Sequence, residues 1–207
     1  MTTAIIGLGN MGQGLARRLA GQTDLVLATR NEADATQLAA ALPGARAASV
    51  DAAIAAADVV ILAVDYDAAL ELAARPELAG KVVVDITNPV EADYSGLRLG
   101  HTTSAAEEIQ KVAPQAQVVK AFNTVFAQVL QADGKAAGRT ATVFVAGDNP
   151  QARATVVDLA TKAGFETIET GGLASARLLE PLGMLNITLG YGQGLGTDIA
   201  PTWLRAA

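Results

Sequence analysis

Thr3-Ala-Ile-Ile-Gly-Leu-Gly-Asn-Met-Gly12 is an apolar strand that runs directly into the pattern Gly7-x-Gly9-x-x-Gly12, and Gln13 to Ala20 behind it has the spacing of a polar-faced helix. Strand, glycine turn and helix in this order form a dinucleotide-binding turn. Gly7 permits the tight bend, Gly9 lets a pyrophosphate approach the backbone, and Gly12 allows close packing of helix on strand. Free N–H groups at the helix start then face the phosphates. A purely structural glycine turn is the competing reading, and the order of the elements weighs against it.

The choice between dinucleotides is made at the end of the second strand, about 20 residues further on. Leu25-Val-Leu-Ala-Thr29-Arg30-Asn31 ends in a hydroxyl, a guanidinium and an amide, where a carboxylate would bind a ribose 2′-OH and repel a 2′-phosphate. Arg30 can make charge-assisted hydrogen bonds to that phosphate, with Thr29 and Asn31 as further donors. NADP(H) is therefore expected over NAD(H), although Glu32 stands one residue beyond and Arg30 could also be a solvated loop charge.

Outward from this unit, strand-like runs alternate with helix-like ones. Strands are expected at Ala4–Gly7, Leu25–Thr29, weakly at Ala45–Ala48, and at Val59–Ala63, Val82–Ile86, Val118–Phe122, Thr142–Ala146 and Phe165–Ile168. Helices are expected at Asn10–Gly21, Ala33–Leu42, Ala68–Ala74, Ala105–Val112 and Pro150–Ala163, with one long helix from Leu173 to about Tyr191. Ser104-Ala-Ala-Glu107 reads as a capping box, and Asp148-Asn149-Pro150 supplies a cap and a first-turn proline. The expected class is α/β: a doubly wound, mostly parallel sheet (a Rossmann fold) in a single domain spanning 1–207, with 173–207 a C-terminal helix and tail.

Composition narrows the function. In 207 residues, 51% are hydrophobic, enough for a substantial core, and the net charge of −6 argues against nucleic acid or an anionic membrane surface as partner. The absence of cysteine excludes disulfides, thiol nucleophiles and thiolate metal sites, and one histidine excludes a His-rich metal site. The apolar run Val59 to Val64 is too short to span a bilayer, and the N-terminus has no signal-peptide pattern, so a cytoplasmic protein is expected.

Several segments together resemble the coenzyme F420-dependent NADP oxidoreductase family of small single-domain Rossmann proteins. They are Ile5-Ile-Gly-Leu-Gly-Asn-Met-Gly12 with Ala28-Thr-Arg30, Ala63-Val-Asp65, Val84-Asp-Ile-Thr-Asn-Pro89, Lys120-Ala-Phe-Asn-Thr124, and Gly172-Leu-Ala-Ser-Ala-Arg-Leu-Leu-Glu180. The resemblance implies that Gly9, Asn10 and Met11 hold the pyrophosphate and that Thr29, Arg30 and Asn31 hold the 2′-phosphate. The loops Ala63-Val64-Asp65, Asn88-Pro89 and Ala121-Phe122-Asn123-Thr124 would line the nicotinamide. The founding archaeal enzymes, as the resemblance has it, carry proline where Asp65 stands and His-Thr in place of Asn123-Thr124. The Ala-Phe-Asn-Thr version is also similar to the NADPH-oxidising domain of membrane metalloreductases, so F420 and a flavin such as FMN both stand as small-molecule acceptors. A homodimer through the C-terminal helix is expected from the resemblance and from the apolar content of Leu178 to Leu189.

Three ionisable residues are candidates for acid chemistry: His101, Asp65 and Lys120. Each has a plain structural alternative: an exposed loop residue for His101, a helix N-cap for Asp65, and a strand-start surface residue for Lys120. Strand alternation puts Lys120 and Asn123 on opposite faces, which disfavours a shared pair. The run Gly190-Tyr-Gly-Gln-Gly-Leu-Gly196 follows a helix, and reads as a helix stop with a mobile loop or as a loop closing over the acceptor. Tyr191 and Trp203 suit a dimer contact or an acceptor ring. Tyr-x-x-x-Lys, Gly-x-Ser-x-Gly and Gly-Lys-Ser/Thr patterns are absent, which removes the short-chain dehydrogenase, hydrolase and NTPase readings. The expected function is hydride transfer between NADP(H) and a deazaflavin or flavin. A reductase of small imines or carbonyls and a non-catalytic NADPH sensor are the alternatives.

Overall fold

A computed structural model describes residues 1–203. In chain order the elements are β1 (Thr2–Ile6), α1 (Asn10–Leu19), β2 (Asp24–Ala28), α2 (Glu32–Ala40), β3 (Ala45–Ala47), α3 (Val50–Ala56), β4 (Val59–Leu62), α4 (Tyr66–Ala73), β5 (Val82–Asp85) and α5 (Ala105–Val112). There follow β6 (Gln117–Lys120), α6 (Ala127–Gln131), β7 (Lys135–Ala136), β8 (Arg139–Thr140), β9 (Thr142–Gly147), α7 (Pro150–Lys162), β10 (Glu166–Glu169) and α8 (Ala176–Ile187).

The main sheet runs β10-β9-β6-β5-β4-β1-β2-β3. Strands β1 to β6 are parallel, β9 is antiparallel to β6, and β10 is parallel to β9. The mostly parallel, doubly wound expectation holds. The direction of β9 follows from its connection: the short α6 and the β7–β8 hairpin bring the chain back without the long helical crossover that a parallel strand needs.

Helices cover both faces, so the inner strands are apolar throughout: every residue of β4 is buried. Alternate residues of one strand feed separate cores. Ile5, Leu27, Ile61, Val84 and Val119 meet α1, α6 and α7, while Ile6, Val26, Val60, Val83 and Val118 meet α3, α4 and α5. Alanine is the usual helix residue at these contacts (Ala16, Ala53, Ala69, Ala106 and Ala160 are fully buried), which lets the helices approach closely.

Several elements differ from expectation. Helix α3 occupies a stretch with no sequence signal beyond its Ser49 cap, whose hydroxyl accepts from Ala52 N at 3.3 Å. The segment expected as one long helix divides into a 3₁₀ turn at Leu173–Ser175, α8, and a π turn at Thr188–Gly192 that ends in the glycine-rich stretch. Residues 204–207 of the expected tail lie outside the described residues.

Candidate functional site

The glycine turn joins β1 to α1 at the carboxyl end of the sheet. Gly7 has φ +96° and sits so close to β4 that a Cβ there would stand 2.4 Å from the Ala63 carbonyl oxygen. A Cβ on Gly12 would stand 1.9 Å from Gly7 O. Gly9 is different: its backbone is extended (φ −69°), it forms the N-cap of α1, and nothing lies within 4 Å of the place a Cβ would take. No side chain caps α1 and its first turn carries no acidic residue. The helix start is therefore a positive pole with free N–H donors beside open space, which is what an anion requires.

At the end of β2, Thr29 is half-buried and Arg30 exposed, with no ion pair to Arg30 among the described residues. Asn31 caps α2, its side-chain oxygen accepting from Ala33 N at 3.3 Å, which leaves its amide N–H groups as donors. Ala63 and Val64 pack under Gly7, and Asp65 caps α4, accepting from Ala68 N at 2.9 Å. The cap alternative for Asp65 is the one observed.

Asn10 and Met11 of α1, Asn88 beyond β5, Phe122 and Asn123 beyond β6, and Gly183 and Tyr191 of the C-terminal helix line one cleft of about 260 Å³. Two loops are locked across it. Asn88 Nδ2 donates to Asn123 O at 2.8 Å, and Asn123 Nδ2 donates to Asn88 Oδ1 at 2.9 Å and to Leu179 O at 2.8 Å. Asn186 Nδ2 donates to Thr124 O at 3.1 Å. Asn123 Oδ1 and Thr124 Oγ1 are buried without a hydrogen-bond partner. A buried polar atom left unpaired costs roughly 1–3 kcal/mol, so a ligand donating amide or hydroxyl hydrogens here would recover that cost. Nicotinamide dinucleotides carry such donors, and the open ground over Gly9 fits their phosphates.

Phe122 has φ +61°, unusual for a bulky side chain and worth roughly 1–3 kcal/mol of strain. This reversal ends strand alternation just after Lys120, so Lys120 and Asn123 both turn toward α8 rather than to opposite faces. The expectation that Lys120 is a surface residue is also overturned, because its side chain is fully buried. Nζ donates to Asp85 Oδ2 at 2.8 Å, Glu180 Oε1 at 2.8 Å and Thr87 O at 2.5 Å. All three ammonium hydrogens are engaged, and Lys120 does not line the cleft, so it is not placed to act as an acid there. Burial opposes its charge, but the two carboxylates beside it hold its pKa above the ordinary lysine value. Burial likewise pushes the Glu180 carboxyl up, against the pull of Lys120.

His101 lies exposed in the loop between β5 and α5 with φ +55° and is not among the residues that line the cleft; the exposed loop residue of its plain alternative is what is observed. Sequence reading missed the roles of Asp85 and Glu180. The available signal was an acid ending the apolar run Val82-Val-Val-Asp85, and another inside the apolar Leu178-Leu-Glu-Pro-Leu182.

The family model described as NADP oxidoreductase, coenzyme F420-dependent, matches residues 2–89. The F420-dependent NADP reductase of Methanocaldococcus jannaschii is 30% identical over 224 residues, covering 99% of this chain and 100% of that one. Metalloreductase STEAP3 of Rattus norvegicus is 36% identical over 182 residues; the match takes in 86% of this chain but 35% of the rat protein, so the chain spans about a third of that relative's length. A crystal structure from Arthrobacter sp. FB24, described as that of an F420-dependent NADP-reductase, superposes with a TM-score of 0.87 at 31% identity, covering 99% and 100% of the two chains.

Proposed function

The chain belongs to the coenzyme F420-dependent NADP oxidoreductase family, and on that footing we propose that it transfers hydride between NADP(H) and a flat acceptor, F420 or a flavin such as FMN. The observation that carries this reading is the single cleft that joins the uncapped start of α1 to the unpaired Asn123 Oδ1 and Thr124 Oγ1. In this reading the N–H groups over Gly9 take the pyrophosphate, with Asn10 and Met11 beside them. Thr29, Arg30 and Asn31 take the 2′-phosphate, and Asn123 and Thr124 take the carboxamide end. Reduced nicotinamide, when bound, supplies the hydride.

The protein's share is positioning and exclusion of water. No carboxylate, lysine or histidine lines the cleft, so the proton that accompanies hydride into the acceptor comes from solvent. Tyr94 and Tyr191, both exposed, stand on the cleft wall and offer rings to a planar acceptor; Tyr191 is braced edge-on by Phe126 at 5.6 Å. The archaeal relatives, F420-dependent NADP reductases, support F420 as the acceptor, and the flavin alternative rests on the resemblance to the metalloreductases.

Two further features belong to this reading. The outer side of α8 carries exposed Leu178 and Leu185, and Leu178 and Leu182 line a mainly apolar hollow of about 440 Å³ with Phe144, Ile168 and Trp203; we assign the homodimer contact to this face. No described helix is long and apolar enough to cross a membrane, and we assign the activity to the cytoplasm. The test is anaerobic NADPH oxidation with F420 and FMN offered separately. Turnover with either supports the reading and names the acceptor; turnover with neither sinks it.

A further inference from the structure

The cluster Asp85–Lys120–Glu180 touches neither the cleft nor solvent, yet it joins the pieces from which the cleft is built. Asp85 ends β5, and its Oδ1 accepts from Thr87 N at 2.8 Å, setting the turn that leads into Asn88. Lys120 ends β6, and its third donor holds Thr87 O. Glu180 lies on α8, and its oxygens also accept from Ala105 N at 2.9 Å and Ala106 N at 3.3 Å at the start of α5. One ammonium thus ties the two strand ends that lead to Asn88 and Asn123 to α8, which carries Gly183 and runs on into the π turn of Tyr191.

We propose that this buried cluster is a positioning device for hydride transfer, fixing the separation between the cofactor wall of the cleft (residues 86–89 and 121–124) and the acceptor wall on α8. The proposal rests on the reading of the cleft given above. The neutral tethers between the walls, Asn123 to Leu179 O and Asn186 to Thr124 O, are single hydrogen bonds. The Lys120–Glu180 contact is charge-assisted and fully buried, so it is the stiffest of them. Hydride transfer is steep in donor–acceptor distance: misplacement by 1 Å costs on the order of 10²-fold. A buried ion cluster is a poor source of net stability, whereas it is well suited to holding one geometry.

The test uses Glu180→Gln, which keeps the volume but cannot accept from Lys120 and Ala105 as two oxygens do, together with Lys120→Met. Single-turnover hydride transfer from NADPH and from its 4-deuterated form is measured beside equilibrium NADPH binding and thermal unfolding. The expected result is a transfer rate lowered roughly 10- to 100-fold, an isotope effect that becomes more temperature-dependent, and NADPH affinity within about twofold. If Lys120→Met fails to fold, Glu180→Gln decides alone. A lowered melting temperature with an unchanged transfer rate and isotope effect makes the cluster merely structural and overturns the proposal while leaving the function intact. No NADPH oxidation by the unsubstituted protein with any acceptor removes the function and the proposal together.

Discussion

Gly9→Val separates binding from folding, because the three glycines of the turn differ in what surrounds them. At Gly9 the backbone is already one that any residue adopts, and nothing stands within 4 Å of the added Cβ. Two small terms then oppose each other in stability. Losing glycine's freedom in the unfolded chain stabilises by about 0.4–1 kcal/mol, while a β-branched residue is a poorer N-cap than glycine by about the same amount. The net change should stay within about 1 kcal/mol, a shift of at most roughly 4 °C in melting temperature for a chain of this size. Binding is not balanced in this way. The side chain fills the ground where the pyrophosphate must lie, and overpacking costs about 1–3 kcal/mol, so loss of both NADPH and NADH affinity by roughly 5- to 150-fold is expected. Gly12→Ala is the contrasting control: its Cβ would stand 1.9 Å from Gly7 O, so the turn itself must break. Calorimetric titration with each cofactor, paired with thermal unfolding, reads both quantities. Unimpaired NADPH binding by Gly9→Val would refute the assignment of the pyrophosphate, and an unfolded Gly9→Val would refute the claim of open space.

Other consequences can be checked in the same preparations. Arg30→Ala should weaken NADPH by roughly 1.5–3 kcal/mol, the value of a charged hydrogen bond, and leave NADH almost unchanged; equal losses would remove the 2′-phosphate assignment. Asp65→Ala should cost about 1 kcal/mol of stability as a lost N-cap with turnover and NADPH KM unaltered, and a large loss of turnover would return Asp65 to the catalytic list. Leu178→Glu should convert a dimer to a monomer in sedimentation; a monomeric unsubstituted protein would end the dimer assignment. Acid should destabilise through Glu107, which the Arg177 guanidinium, bonded at 2.6 and 2.8 Å, holds below the ordinary 4.5. A depressed carboxyl contributes stability above its unfolded value and loses it as pH falls below. Glu180, pushed up by burial, has the opposite sign and does not add to that loss. Urea unfolding from pH 6 downward should therefore steepen below about 4.5, and Arg177→Ala should flatten the curve.

What could be read from the chain alone was local chemistry with a fixed spacing. The strand–glycine–helix order of residues 3–20, the caps at Ser104 and Asn149, and the alternation that gives a parallel sheet all report on interactions among near neighbours. Their counterparts appear with small shifts in boundary. The loops at the strand ends were legible in part, since six of the expected residues, Asn10, Met11, Asn88, Phe122, Asn123 and Thr124, line one cleft. The failures have more than one cause. Lys120 looked like a surface residue because its partners are 35 and 60 positions away, and no pattern inside β6 announces them. Phe122, edge-on to Phe165 at 6.0 Å, takes a positive φ that no strand period announces, so periodicity extrapolated past Lys120 gave the wrong face. Helix α3 was invisible because alanine satisfies any period, and the β7–β8 hairpin was too short to show one.

Gly183 limits how the acceptor cleft can be redesigned. A Cβ at this position would fall 2.6 Å from Asn88 Oδ1 and 2.9 Å from Asn123 O, so α8 already lies as near to the paired asparagines as backbone allows. An engineer who wants a different acceptor cannot reshape the inner end of the cleft there without breaking the pair. Ile187 and Tyr191 lie one and two turns further along the same wall and are exempt from that network. Variation in substrate scope, whether bred in a library or accumulated by divergence, is thereby channelled to the outer rim, while the inner end stays fixed.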